Sequence, residues 1–219
     1  MKGISRVVLS AVLLLAASSA GLAEQGMSAF EKPARSRAND WFDKGSQYAG
    51  QQQNESAIDA YTKALELNPG FVEAYTARGN MYVRTGMGER ALDDFNGALA
   101  LDRKNHTAYN NRGMIYLQRR DLERAVEDFS KAISISPTTL TYLLNRAAAY
   151  TAQKQFEKAV ADYTNAIGAA PDNADAYAGR GNAMNALGNT EQAVANLRKA
   201  CTLGSETGCK GLKALGKSS

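Results

Sequence analysis

The sequence predicts an all-α fold: five antiparallel helix pairs stacked end to end as a solenoid, closed by a short C-terminal helix. Three observations carry that expectation. Shifted by 34 residues, the chain aligns with itself: Ala57, Ala91, Ala125, Ala159 and Ala193 fall on one ladder, and Ala64, Ala98, Ala132, Ala166 and Ala200 on another. Within a period, apolar residues recur at helical spacing on one stretch and then on a second. Pro69, Pro137 and Pro171 stand at the ends of periods, where a missing N–H and a fixed φ help to stop a helix. Neither helix of a unit can bury its apolar face alone, so neighbours must stack.

The elements follow in order. Lys2 and Arg6 precede an uncharged run from Val7 to Ala23, the pattern of a secretory signal peptide over residues 1–23. Gly21 and Ala23 suit a cut before Glu24, and Ser18 and Ala20 offer an earlier one. No cysteine follows either cut, so the lipid-anchor pattern is missing. The alternative is an uncleaved anchor in the inner membrane, because the apolar run nearly spans a bilayer. On either reading the remaining chain is exported, to the periplasm or as a secreted protein. Residues 24–37, with mixed charges and Pro33, form a flexible entry segment. Units over 38–71, 72–105, 106–139, 140–173 and 174–207 come next without insertion, and 208–219 form a cap and tail.

Further ladders fill out each unit. Tyr48, Tyr82, Tyr116 and Tyr150 lie in one register with Met184, and Tyr61, Phe95, Phe129, Tyr163 and Leu197 in another. Glu55, Glu89, Glu123, Glu157 and Glu191 open the second helices, where a carboxylate favours the exposed amide dipoles. Gly45, Gly79, Gly113 and Gly181 share a place with Ala147. A glycine inside a helix costs about 0.5–1 kcal/mol relative to alanine, so its recurrence implies a close helix approach. Arg78, Arg112, Arg146 and Arg180 precede that small residue, with Lys44 in the first unit. A guanidinium beside a packed seam needs an anionic or carbonyl partner, and Asp94, Asp128 and Asp162 recur on the second helices. A ladder of Arg–Asp pairs is expected, with the pairing of Arg112 to Asp128 or to Asp94 left open. The rival is a positive row that takes an anionic ligand.

Trp41, Gly45, Tyr48, Ala57, Tyr61, Ala64 and Pro69 together resemble the tetratricopeptide repeat pattern, and the resemblance extends through all five units. It implies a right-handed superhelix whose first helices line a concave groove. Carried over residue by residue, that groove comprises Thr76, Asn80 and Val83, then Asn110, Asn111, Met114 and Leu117, then Leu144, Asn145 and Asn182. Asparagines mixed with medium apolar side chains suit the backbone of a peptide or protein partner. One subfamily grips chaperone carboxylate tails with basic residues, but Thr76, Thr141 and Asn145 stand in their places here, which excludes that role. The spacing of Cys201 and Cys209 resembles the cysteine pair of Sel1-like repeat proteins, which implies a disulfide. Two free or metal-binding thiols are the alternative.

Other function classes find little support. With 26 basic and 22 acidic residues interspersed, a net charge of +4 does not suggest a nucleic-acid surface. His106 is the only histidine and is expected in a solvated loop. No catalytic, metal or cofactor constellation is apparent, and none is expected. The sequons at Asn54 and Asn105 decide nothing. The expectation is therefore an exported, non-enzymatic scaffold that binds a protein or peptide in its groove within the cell envelope. The alternative is an architectural protein that self-associates through its ends into a homo-oligomer.

Overall fold

The computed structural model describes residues 33–217. The expected signal peptide at 1–23 and residues 24–32 of the entry segment lie outside the described residues. Eleven helices and no strand occur among the described residues. The first pair is α1 (Ala34–Gly50) and α2 (Asn54–Leu67). The next are α3 (Val72–Arg84) with α4 (Gly88–Leu101), and α5 (His106–Gln118) with α6 (Leu122–Ile135). Then come α7 (Leu140–Ala152) with α8 (Phe156–Ala169), α9 (Ala174–Ala186) with α10 (Thr190–Thr202), and the closing α11 (Glu206–Ala214). No described helix is long and apolar enough to cross a membrane.

Two boundaries differ from expectation. Residues 34–37, read as entry segment, are helical, because Pro33 immediately precedes the helix and its carbonyl accepts the Arg37 N–H at 3.1 Å. Ser205, which replaces a closing proline, instead caps α11: its hydroxyl accepts the Gly208 N–H at 3.1 Å.

The turn within each pair is built the same way from different residues. Gln52, Gly86, Arg120, Lys154 and Gly188 all adopt positive φ between 60° and 82°. The next N–H then reaches back to the carbonyl of Tyr48, Tyr82, Tyr116, Tyr150 or Met184 at 2.8–2.9 Å, which satisfies a helix-end acceptor. The recurring glutamates lie in the first turn of the following helix.

Packing follows the ladders. Both alanine columns are fully buried, as are Phe95 and Phe129 at their centre. A methyl group on Gly113 would stand 2.8 Å from Cε1 of Phe129, and Gly79 stands in the same relation to Phe95. The glycines let an aromatic ring of the second helix lie against the backbone of the first. First helices of neighbouring repeats touch one another, whereas second helices of neighbouring repeats do not. The stack therefore curves with its first helices on the inner side. At the C-terminus, a Cys201–Cys209 disulfide ties α11 to α10 with Cα atoms 4.6 Å apart, and Leu212 is fully buried.

Candidate functional site

The arginine ladder holds the second to fifth repeats, each to itself and to the one before it. Nε and Nη2 of Arg112 donate to the two carboxylate oxygens of Asp128, both at 2.8 Å. Arg78 grips Asp94 and Arg146 grips Asp162 in the same forked way, at 2.7–2.9 Å. The pairing is within the repeat. A third donor, Nη1, reaches the second helix of the preceding repeat: Arg78 to Thr62, Arg112 to Asn96, Arg146 to Ser130 and Arg180 to Thr164. Those four acceptors share one register but no residue type beyond a hydroxyl or amide, so sequence reasoning missed them.

Electrostatics agree with this structural role. Hydrogen bonds to their aspartates hold the guanidinium pKa values of Arg78, Arg112 and Arg146 above the ordinary value, against the opposing effect of burial. Burial raises the Asp128 carboxyl, and the Arg112 hydrogen bonds oppose that rise. Tyrosine rings flank the cations, with Arg112 at 5.6 Å from the Tyr109 centroid and 6.0 Å from that of Tyr116. In Arg78, Arg112 and Arg146 all three guanidinium nitrogens donate inside the stack, and in Arg180 Nε and Nη1 do so.

The inner face is organised differently. The Asn145 amide donates to Asn110 at 2.8 Å, Asn110 donates to Asn111 at 2.9 Å, and Asn111 donates to Asn80 at 2.6 Å. This chain of amides crosses α7, α5 and α3. Asn110 is buried rather than presented to a partner, since its carbonyl and amino groups are both engaged. The open ends are the Asn80 Nδ2 donor and the Asn145 Oδ1 acceptor, neither with a protein partner among the described residues.

Beside the amides lies an apolar hollow of about 320 Å³ lined by Val83, Met114, Ile115, Leu117 and Gln118. Val83 and Met114 are 44% and 43% exposed, the values that mark this as uncovered apolar surface. The remaining groove candidates are less free. The Thr76 hydroxyl donates to the Val72 carbonyl and accepts from Asn105, whose other amide atom caps α5. Leu144 packs against the core beneath α7, and Asn182 stands near Gly211 of the closing helix. His106 is not a solvated loop residue: it opens α5, and its Nδ1 lies 2.7 Å from the Tyr142 hydroxyl.

Comparison with known proteins fits this architecture. Family models described as tetratricopeptide repeat match residues 106–139 and 174–204, and one described as TPR repeat matches 45–86 and 147–188. The chain belongs to the tetratricopeptide repeat family. No curated protein matches the sequence. Among solved structures, the tetratricopeptide repeat chain is similar to the MamA protein at 23% identity, covering 76% of this chain and 91% of that one with a TM-score of 0.71. It is similar to YrrB, described as a TPR protein with an unusual peptide-binding site, at 21% identity, covering 79% and 90% with a TM-score of 0.70. MamA from Desulfovibrio magneticus RS-1 is 16% identical over 76% and 94% of the two chains, with a TM-score of 0.72. At these identities the likeness is one of fold.

Proposed function

We propose that this tetratricopeptide repeat protein is an exported, non-enzymatic scaffold that holds an extended peptide segment of a partner protein on the inner face of α3, α5 and α7. The observation that carries the reading is that Asn80, whose Nδ2 donor has no partner among the described residues, stands about one helical turn before Val83 on the rim of the apolar hollow that Val83, Met114 and Leu117 line. An extended backbone offers a donor and an acceptor at each residue, which suits the open amides, and an apolar side chain would fill the hollow. A precedent for peptide binding on this fold is YrrB, described as a TPR protein with an unusual peptide-binding site.

Export is supported by the signal-like pattern at 1–23 and by a disulfide, a bond that persists in oxidising compartments. A place in the periplasm or cell envelope follows from that reading. The absence of catalysis is supported by what the reactive residues are already doing: His106 bonds to Tyr142, the recurring aspartates hold arginines, and both cysteines are joined. Self-association through the C-terminal end has an observation against it: α11 already covers that end of the stack, with Leu212 fully buried and Cys209 bonded to Cys201 of α10.

Selection of short unstructured peptides on the full chain, followed by calorimetric titration, tests the groove. A Val83→Ser, Met114→Ser double variant is expected to weaken selected peptides about tenfold or more, the equivalent of ~1.4 kcal/mol, with its helical content unchanged. Equal affinity for wild type and variant would remove the inner face as the binding surface.

A further inference from the structure

The first repeat departs from the arginine ladder in one specific way. In the second and third repeats, a cation of the first helix lies between two rings and against a carboxylate. Arg78 is flanked by Tyr75 and Tyr82 and bonded to Asp94, and Arg112 is flanked by Tyr109 and Tyr116 and bonded to Asp128. The first repeat keeps the rings and the cation. Lys44 stands in the register of the arginines, with its ammonium 4.9 Å from the Trp41 ring centroid and 5.8 Å from that of Tyr48. It omits the acid: the counterpart of Asp94, Asp128, Asp162 and Asn196 is Ala60, 1% exposed.

What remains is a hollow of about 190 Å³ lined by Trp41, Lys44, Tyr48, Ser56, Ala60 and Lys63. Lys63 supplies a second ammonium, 4.4 Å from the Trp41 centroid. Asp59 also lines it, yet no ion pair joins Asp59 to either lysine. Two ammonium groups are thus held against ring faces beside the slot that a carboxylate occupies in three other repeats. Each brings three N–H donors. Ammonium groups held against ring faces and bonded to no carboxylate attract one, and charge-assisted hydrogen bonds are the stronger kind.

We propose that the first repeat binds a carboxylate from outside the chain, the side chain of a glutamate or aspartate in an acidic peptide segment, seated against Ala60 between Lys44 and Lys63. The incoming group completes there what Asp94, Asp128 and Asp162 complete elsewhere. The site shares no residue with the inner-face surface, so it stands or falls independently of the groove.

Trp41 is the only tryptophan and lies in the site, so its emission reports occupancy directly. The full chain is titrated with a blocked peptide carrying one glutamate, with its glutamine analogue, and with inorganic phosphate. The glutamate peptide is expected to shift Trp41 emission saturably, to weaken as salt is raised, and to bind at least about tenfold more tightly than the glutamine analogue. Ala60→Asp supplies the carboxylate internally and is expected to abolish the response while raising the unfolding temperature. Lys63→Gln, at an exposed position that leaves folding intact, is expected to weaken the peptide about tenfold, and it decides the matter if Ala60→Asp does not fold. Equal response to glutamate and glutamine peptides would overturn the proposal. So would a response to phosphate alone, a full response from folded Ala60→Asp, or unaltered affinity in Lys63→Gln.

Discussion

Replacing Asp128 separates the arginine ladder from ordinary surface ion pairing. Its side chain is 5% exposed and accepts two charge-assisted hydrogen bonds from Arg112, while Arg112 is 20% exposed and keeps a 2.6 Å bond to Asn96. Truncating one member of a buried hydrogen-bonded charge pair costs about 2–5 kcal/mol. Because the guanidinium retains water and Asn96, Asp128→Ala is expected at the lower end, about 2–3 kcal/mol. The fifth repeat supplies a natural control. There Arg180 donates to Oδ1 of Asn196 at 2.8 Å, and the Asn196 amide donates to the Gln192 carbonyl at 2.8 Å. Asp128→Asn can adopt that arrangement, and its expected loss is about 1 kcal/mol. The assay is urea unfolding of the full chain followed by helical circular dichroism. Trp41 emission serves as a second probe, since repeat stacks can unfold in parts. In a cycle with Arg112→Met, the coupling to Asp128 is expected at about 1.5–3 kcal/mol and that to Asp94 below about 0.5 kcal/mol. Equal losses for the alanine and asparagine variants, or a coupling to Asp94 as large as that to Asp128, would refute the within-repeat fork.

Other consequences can be checked on the same protein. Gly113→Ala should destabilise despite better helix propensity, by about 1–3 kcal/mol, because the new methyl meets Phe129 at 2.8 Å. Gly168→Ala, in α8 with open space around it, should stabilise by up to about 1 kcal/mol, and unfolding midpoints compare the two. Reducing Cys201–Cys209 releases a short loop and should lower stability by about 2.5 kcal/mol in the chain-entropy model, with loss of α11 helicity as the readout. Burial raises the Tyr163 phenol, partly opposed by its hydrogen bond to Thr151, so the unfolded chain ionises first. Stability is therefore full below the ordinary phenol value of about 10 and falls as pH rises through the folded value. Tyr163→Phe should flatten that alkaline loss in unfolding curves measured across the range.

The fold was legible because stacking poses the same problem five times and one residue type solves it each time. Alanine fills both columns in all five units, and beneath the aromatic stands glycine in four units and Ala147 in the other, so small-residue identity itself nearly repeats. The turn position was not legible. Its positive φ is set by the backbone of the turn, and Gln52, Gly86, Arg120, Lys154 and Gly188 share a conformation without sharing chemistry. The acceptors of the third arginine donor escaped for a related reason, since a hydroxyl and an amide oxygen serve equally at Thr62, Asn96, Ser130 and Thr164. The inner-face asparagines were located as a group but misread as free. Their bonds connect three different registers, so no comparison of equivalent positions reveals that Asn110 is consumed by its neighbours.

That difference between repeated and unrepeated residues bears on where binding lies. A residue that recurs in every unit answers a demand that every unit makes, and here the recurring alanines, glycines and arginines are all engaged inside the stack. Binding chemistry must come from positions that the stack leaves unconstrained. In the register of Asn80 the chain places Asn80, Met114, Ala148 and Asn182, and in that of Asn111 it places Ala77, Asn111, Asn145 and Gly179. On α3 the open Asn80 amide stands about one helical turn before Val83, on the rim of the apolar hollow between α3 and α5. The first repeat breaks the pattern in the opposite sense, keeping two rings and a cation but substituting Ala60 for the acid. One departure adds groups that a peptide backbone can satisfy, and the other removes a group that a partner's carboxylate can replace. On the proposed reading, a segment with an extended backbone and an acidic residue would meet complementary chemistry at these two departures from the repeat.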